Sequence, residues 1–246
     1  MLNTGLVSIS FRSLSCEQLI ENLKKCGLKN IEWGSDVHAP VDNEERLYEI
    51  RRLMEENGIN CCSYGSYFRI TVNPVEDIYK YIKAAKILGT NIIRLWCGNK
   101  GTDVITAEET EKLFADCKAL AKIGEEEGVI FCMECHNDTY TDNVNTALKL
   151  MEEVNSPAFR MYWQPNQHKT FEENMHYAKT LSAYTYHLHV FNWAGHDRLP
   201  LKDAVKTWKD YLTNFEGERY LLLEFMPDDK IETLPVETEA LNAIVS

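Results

Sequence analysis

The chain reads as α/β, a single-domain closed (β/α)8 barrel over residues 1–246, and three observations carry that reading. Apolar, β-rich runs recur about every 30 residues, each followed by a segment whose apolar positions have helical spacing. Eight such units use the whole length, and eight units in about 250 residues suit a closed barrel better than an open sheet. No Gly-x-Gly-x-x-Gly follows the first strand, so the usual signal of a dinucleotide-binding open sheet is missing.

In order, the strands are predicted at 7–11, 30–33, 59–64, 91–96, 129–134, 159–164, 186–191 and 220–225. Ser15 and Gln18 form a capping-box pattern ahead of Leu19-Ile20, with Gly27 as the stop; Thr106 and Glu109 repeat it ahead of Leu113-Phe114. Gly58, Gly89 and Gly128 each stand just before a strand, where a left-handed helix terminus favours a residue without Cβ. The final helix is expected near 235–244.

The formal net charge of -12, with a pI near 5.1, repels polyanions, and no Lys/Arg run offsets it. A nucleic-acid partner is therefore not expected. The N-terminus lacks the basic start and apolar stretch of a signal peptide, and no apolar run reaches membrane-spanning length. Neither a membrane partner nor a location other than the cytoplasm is expected. The eight cysteines sit mostly inside helix-like or strand-like runs, which favours reduced thiols over a disulfide framework. Cys132 and Cys135 have a two-residue gap, but on a strand they point to opposite faces and cannot close on one metal.

Three apolar runs end in residues that do not belong in a core. Glu134, His189 and Glu224 close the fifth, seventh and eighth predicted strands, and burying an unpaired carboxylate costs several kcal/mol. A divalent metal is the partner that fits two Glu and a His. In a (β/α)8 barrel the strand C-termini carry the active site, so these residues share one rim. Alternation puts Cys132, Glu134 and His136 on one face, and Leu222, Glu224 and Met226 on the inward face of the last strand. His187 lies two residues deeper than His189 and reads as core packing.

At the same mouth, His136 is placed to hydrogen-bond a substrate hydroxyl, and Arg94, Arg69 and Arg198 to bind a phosphate or carboxylate by a bidentate fork. Trp33, Trp96, Tyr64, Tyr67 and Trp163 are candidate sugar platforms, although Trp33 is out of phase with Glu32 and is expected in the helix layer. A structural pairing of Arg94 with Glu32 or Glu134 competes with substrate binding.

The segments Ile31-Glu32-Trp33-Gly34-Ser35-Asp36-Val37-His38, Ser63-Tyr64-Gly65-Ser66-Tyr67-Phe68-Arg69, Ile93-Arg94-Leu95-Trp96, Glu134-Cys135-His136 and Tyr162-Trp163-Gln164-Pro165-Asn166 resemble the xylose isomerase-like TIM barrels. That group includes sugar isomerases, epimerases and AP endonucleases, and the likeness is greatest to proteins described as sugar phosphate isomerase/epimerase. The resemblance implies one divalent ion (Mn, Mg, Co or Zn) held by Glu134, His189 and Glu224. Gln164 stands in the segment where the family supplies an Asp, and its neutral carbonyl oxygen is a weaker ligand for a hard cation. Glu134 and Glu224 are implied as the catalytic pair, moving a proton next to a carbonyl through an enediolate. Asn166 joins the implied substrate contacts.

The expected function is a metal-dependent isomerase or epimerase of a small sugar, sugar acid or sugar phosphate. The open alternatives are a metal-dependent lyase on an oxidised sugar and a sugar-binding barrel that has lost catalysis. AP-endonuclease chemistry is disfavoured because seven His are too few for its multi-zinc cluster. A homo-oligomer is compatible with the family.

Overall fold

Residues 2–246 are described by a computed structural model. Strands β1 (Leu2–Val7), β2 (Asn30–Gly34), β3 (Asn60–Arg69), β4 (Ile92–Trp96), β5 (Ile130–Glu134), β6 (Phe159–Trp163) and β7 (Thr185–Val190) are followed by a short β8–β9 ribbon (Trp193–Ala194, Asp197–Arg198) and then β10 (Arg219–Leu223). β10 pairs with both β7 and β1, closing an all-parallel barrel in the order β1-β10-β7-β6-β5-β4-β3-β2. Around it lie α1 (Cys16–Cys26), α2 (Glu44–Asn57), α3 (Ile78–Leu88), α4 (Ala107–Glu127), α5 (Val144–Val154), α6 (Phe171–Leu181), α7 (Val205–Leu212) and α8 (Leu234–Val245). Among the described residues no helix is long and apolar enough to cross a membrane.

The helix boundaries follow local chemistry. Ser15/Gln18 and Thr106/Glu109 both form complete capping boxes, each contributing about 1 kcal/mol. A third box at Thr170/Glu173 opens α6, and Pro235 occupies the first turn of α8, where its missing N–H is no loss. Gly27, Gly58, Gly89 and Gly128 all terminate helices in the left-handed region.

Two strand predictions need correction. The first strand runs over Leu2–Val7 rather than 7–11, and Ser8–Phe11 is a 3-10 turn. The true strand carries Asn3-Thr4-Gly5, which lacks an apolar signal, while the buried turn after it is held by side chains. Ser8 Oγ accepts the Gly34 N–H at 2.9 Å, and Ser10 Oγ accepts the Phe225 N–H at 2.9 Å. The last strand stops at Leu223, and Phe225 has φ 59. That left-handed residue breaks the alternation, so Phe225 turns toward the barrel interior and Met226 packs into the outer core.

All eight cysteines are free. Cys132 faces the lumen and Cys135 the helix layer, as alternation requires. The core is thereby split. A large apolar cluster lies between strands and helices, whereas the buried apolar residues of the lumen form a smaller one of Val7, Ile9, Cys62, Ile92, Cys132, Tyr162 and Leu222.

Candidate metal centre at the barrel mouth

Four lumen-facing positions on four strands of the barrel bear charge instead of methyl groups. Glu32 on β2, Arg94 on β4, Glu134 on β5 and His189 on β7 are all buried, and Glu224, one residue past β10, joins them. Arg94 organises the group. Its Nε donates to Glu32 Oε1 at 2.8 Å and its Nη1 to Glu134 Oε2. Gly65 makes this close passage possible, because a Cβ there would stand 2.7 Å from Arg94 Nη2 and 2.9 Å from Glu32 Oε1. Ser63 Oγ donates to the second Glu32 oxygen at 2.6 Å.

Glu134 is divided between two tasks. Its Oε2 accepts from both Arg94 Nη1 and Trp96 Nε1, and Thr141 Oγ1 fixes its backbone carbonyl at 2.5 Å. Its Oε1 meets His189 Nδ1 at 3.4 Å. The same Nδ1 lies 3.5 Å from Glu224 Oε1 and 3.0 Å from Gln164 Oε1, while Nε2 on the other side of the ring lies 3.7 Å from Glu32 Oε1. Each of Glu134, His189 and Glu224 offers one ligand atom, and these atoms all lie within 4.8 Å of one another.

Burial alone would push each carboxyl up. For Glu32 and Glu134 the Arg94 charge overrides it, helped by His189, and both are held well below the usual carboxylate range. Glu224 moves the other way: burial, reinforced by repulsion from Glu134, raises it above the ordinary value despite His189. Burial opposes charge on His189, yet the carboxylates around it, Glu224 foremost, raise it to about 10. The cluster thus holds more carboxylate than its one permanent cation balances. Two carboxylate oxygens, an imidazole nitrogen backed by the Glu32 carboxylate, and this excess of negative charge fit a hard or borderline divalent ion.

Beside the triad, Glu134, His136, Asn137, Gln164, Asn166, Phe191, Trp193, Glu224 and Phe225 line a small cavity of about 100 Å³ that opens to solvent. Gln164 stands just past β6 and contacts His189, whereas Trp163 packs outward against Trp208, Tyr211 and Phe215. His136 lies beside Trp96, ring centroids 5.0 Å apart, with Nδ1 2.7 Å from the Asn137 carbonyl oxygen. Asn166 Nδ2 donates to Asn137 Oδ1 at 2.7 Å. Arg69 lies over the Trp96 ring, Cζ 3.8 Å from its centroid. Arg198 sits at the rim over Phe225 and Trp193, paired with Asp229.

Several expected contacts fall elsewhere. Tyr64 is fully buried on the helix side of β3, its hydroxyl donating to the Ala39 carbonyl at 2.7 Å, so it reaches no substrate; strand parity sends it outward while Ser63 faces the lumen. Trp163 is likewise in the outer core, and Trp33 lies in the helix layer as its phase relative to Glu32 predicts. Arg94 is 2% exposed, with Nε on Glu32 and Nη1 on Glu134 and its buried Nη2 without a hydrogen-bond partner among the described residues, so its paired donors support Glu32 and Glu134. Trp193, Phe225 and Asn137 were not legible as site residues. Nothing in the sequence marks Phe225 for a left-handed conformation that Phe rarely adopts.

The family model described as xylose isomerase-like TIM barrel matches residues 20–234. The chain belongs to that family. A curated relative, 3-dehydroshikimate dehydratase of Bacillus anthracis, is 24% identical over 175 residues covering 64% of this chain. The match spans only 59% of that relative's length. Among solved structures, a probable 3-DHS dehydratase from Bacillus anthracis superimposes with a TM-score of 0.79 at 18% identity, covering 98% of this chain and 99% of its own. D-psicose 3-epimerase from Clostridium cellulolyticum does so at 0.68 with 17% identity, covering 99% and 97%. At such identities these likenesses show the fold, and this family member shares it with proteins of different chemistries.

Proposed function

We propose that this barrel is a metal-dependent isomerase or epimerase of a small sugar, sugar acid or sugar phosphate. The observation that carries this reading is the unequal treatment of two carboxylates around one candidate metal triad. A divalent cation (Mn, Mg, Co or Zn) held by Glu134, His189 and Glu224, with Gln164 as a neutral fourth donor, supplies Lewis-acid polarisation of a substrate carbonyl. Everything else falls to the protein. Glu134 is kept anionic by Arg94 and Trp96, whose two hydrogen bonds occupy Oε2 and leave that oxygen no lone pair directed at substrate. Glu224 meets His189 and no other N–H or O–H donor among the described residues, so its carboxylate is open to take a proton from carbon and return it.

One such carrier, moving a proton between adjacent carbons through an enediolate, supports isomerisation more directly than a two-base epimerisation. His136, Asn137 and Asn166 stand on the cavity wall to orient hydroxyl groups, while Phe225, Phe191 and Trp193 limit water. The test is deuterium wash-in from D2O across a series of aldoses, ketoses and their phosphates, with divalent metal in excess. Glu224→Gln is expected to lower exchange by about 10²–10⁴-fold. No wash-in with any member, together with no divalent-ion binding, would sink the proposal.

A second reading is a lyase that eliminates water β to a carbonyl after the same proton abstraction. The sequence match to a curated dehydratase over 64% of this chain favours it. Mass spectrometry separates the two, because elimination yields an unsaturated product lighter by one water and isomerisation conserves mass.

A further inference from the structure

The arginines at the barrel mouth are not equivalent. Arg12 donates to Asp36 at 3.0 Å and to the Tyr67 hydroxyl at 2.8 Å; Arg94 is committed to Glu32 and Glu134; Arg198 pairs with Asp229. Arg69 has no carboxylate partner among the described residues. Its one polar side-chain contact is Nη1 to the Gly98 carbonyl oxygen, at a long 3.4 Å.

Yet Arg69 is not a free surface side chain. Its guanidinium lies over the ring of Trp96, Cζ 3.8 Å from the centroid, and Trp96 is the residue whose Nε1 donates to Glu134, so one indole ring links this cation to the metal triad. The backbone beneath it is tightly shaped. Tyr67 at φ 56 and Thr71 at φ 69 are left-handed, and Asn73 Oδ1 accepts the Arg69 N–H at 2.8 Å. The β3–β4 register shifts between Gly65 and Arg69, delivering Arg69 opposite Trp96. A stacked guanidinium gives up little further freedom on forming a bidentate pair, and its edge donors stay available.

An anionic ligand would otherwise be repelled by the triad carboxylates and by a net charge of -12. We infer that Arg69 receives a terminal oxyanion of the substrate, a carboxylate or a phosphate, while the reacting carbons lie at the triad. The inference rests on the proposed function only in placing the reacting carbons there. It narrows the substrate class to acidic or phosphorylated small sugars and leaves neutral sugars as poor ligands.

The test is calorimetric binding of three five-carbon probes to the manganese-loaded protein: D-ribulose, D-ribulose 5-phosphate and D-ribonate. At least one anion is expected to bind about tenfold tighter than D-ribulose, and which one does identifies phosphate or carboxylate as the group received. Arg69→Met should bring that anion to the affinity of D-ribulose without changing manganese affinity. Arg69→Lys should restore part of the preference, since a point charge replaces a fork.

Equal binding of all three probes to the wild type overturns the inference, as does an anion preference that survives Arg69→Met. If Arg69→Met does not fold, Arg69→Lys decides: a reduced anion-to-neutral ratio supports the assignment and an unchanged ratio overturns it. Deuterium wash-in on the same sugars reads the proposed reaction separately. Failed exchange with an intact anion preference removes the reaction and keeps the anion site, whereas exchange on neutral and anionic sugars alike does the reverse.

Discussion

The barrel has two interiors, and they are built on opposite rules. Outside the strands, Trp33, Tyr64, Phe68, Trp163 and Trp208 belong to one continuous apolar core in which Tyr64 and Trp208 place their polar atoms on the Ala39 and Phe191 carbonyls, while the buried Trp163 Nε1 has no partner among the described residues. Inside the strands, seven apolar residues make a small cluster and the mouth above it is given to Glu32, Arg94, Glu134, His189 and Glu224. Burial that stabilises in the first region is a cost in the second, offset only by pairing. The helix layer supplies the stability that lets the lumen hold an excess of carboxylate.

The largest expected effect breaks the lumen. Arg94→Met leaves Glu32 and Glu134 buried without their cation, and metal-free protein should lose about 3–5 kcal/mol in denaturant unfolding. Added manganese should recover part of that loss, because the ion replaces the missing positive charge. The pH dependence carries the same sign. Arg94 holds both carboxyls below their ordinary 4.5, so it contributes stability that is present above that pH and lost as pH falls below it. The wild-type and Arg94→Met stability curves should therefore converge in acid, and parallel curves would contradict the assignment.

A comparable loss from the outer core should behave differently. Trp33→Ala, at a residue 0% exposed, is expected to cost about 3–5 kcal/mol with no recovery on adding metal and no convergence at low pH. If manganese rescued Trp33→Ala as well, the separation of the two interiors would fail.

Finer changes sharpen the contrast. Glu32→Gln keeps the shape beside His189 but removes the carboxylate behind its Nε2, and divalent-ion affinity by calorimetry should fall about 10–100-fold. Thr106→Ala removes the capping box at the start of α4, at a residue that takes no part in the lumen cluster. It should cost about 1 kcal/mol in thermal unfolding and leave metal affinity untouched.

Much of the fold was legible because its signals are local. The Ser15 and Thr106 boxes, the glycine stops and the outward parity of Cys135 each depend on a few consecutive residues. The first strand was displaced because Asn3-Thr4-Gly5 forms a strand only through its neighbours β10 and β2, which a local pattern does not contain. Glu134, His189 and Glu224 were legible as a set because strand-end carboxylates interrupt apolar runs. Tyr64 was misplaced for want of one parity step, and Phe225 because its left-handed backbone, held by the Ser10 hydroxyl, reverses the expected alternation.

By itself the sequence determined the eightfold repeat, the reduced state expected of the cysteines and the presence of Glu134, His189 and Glu224 on one rim, since each follows from periodicity or from the cost of burying charge. Only the tertiary structure decided how those charges are shared. Arg94 is committed to carboxylates from β2 and β5, one oxygen of Glu134 is tied off and Glu224 is left open, while Arg69 has no carboxylate partner among the described residues. The physical reason is that hydrogen-bond partnership depends on distance and direction across strands far apart in the chain, which no spacing along it encodes.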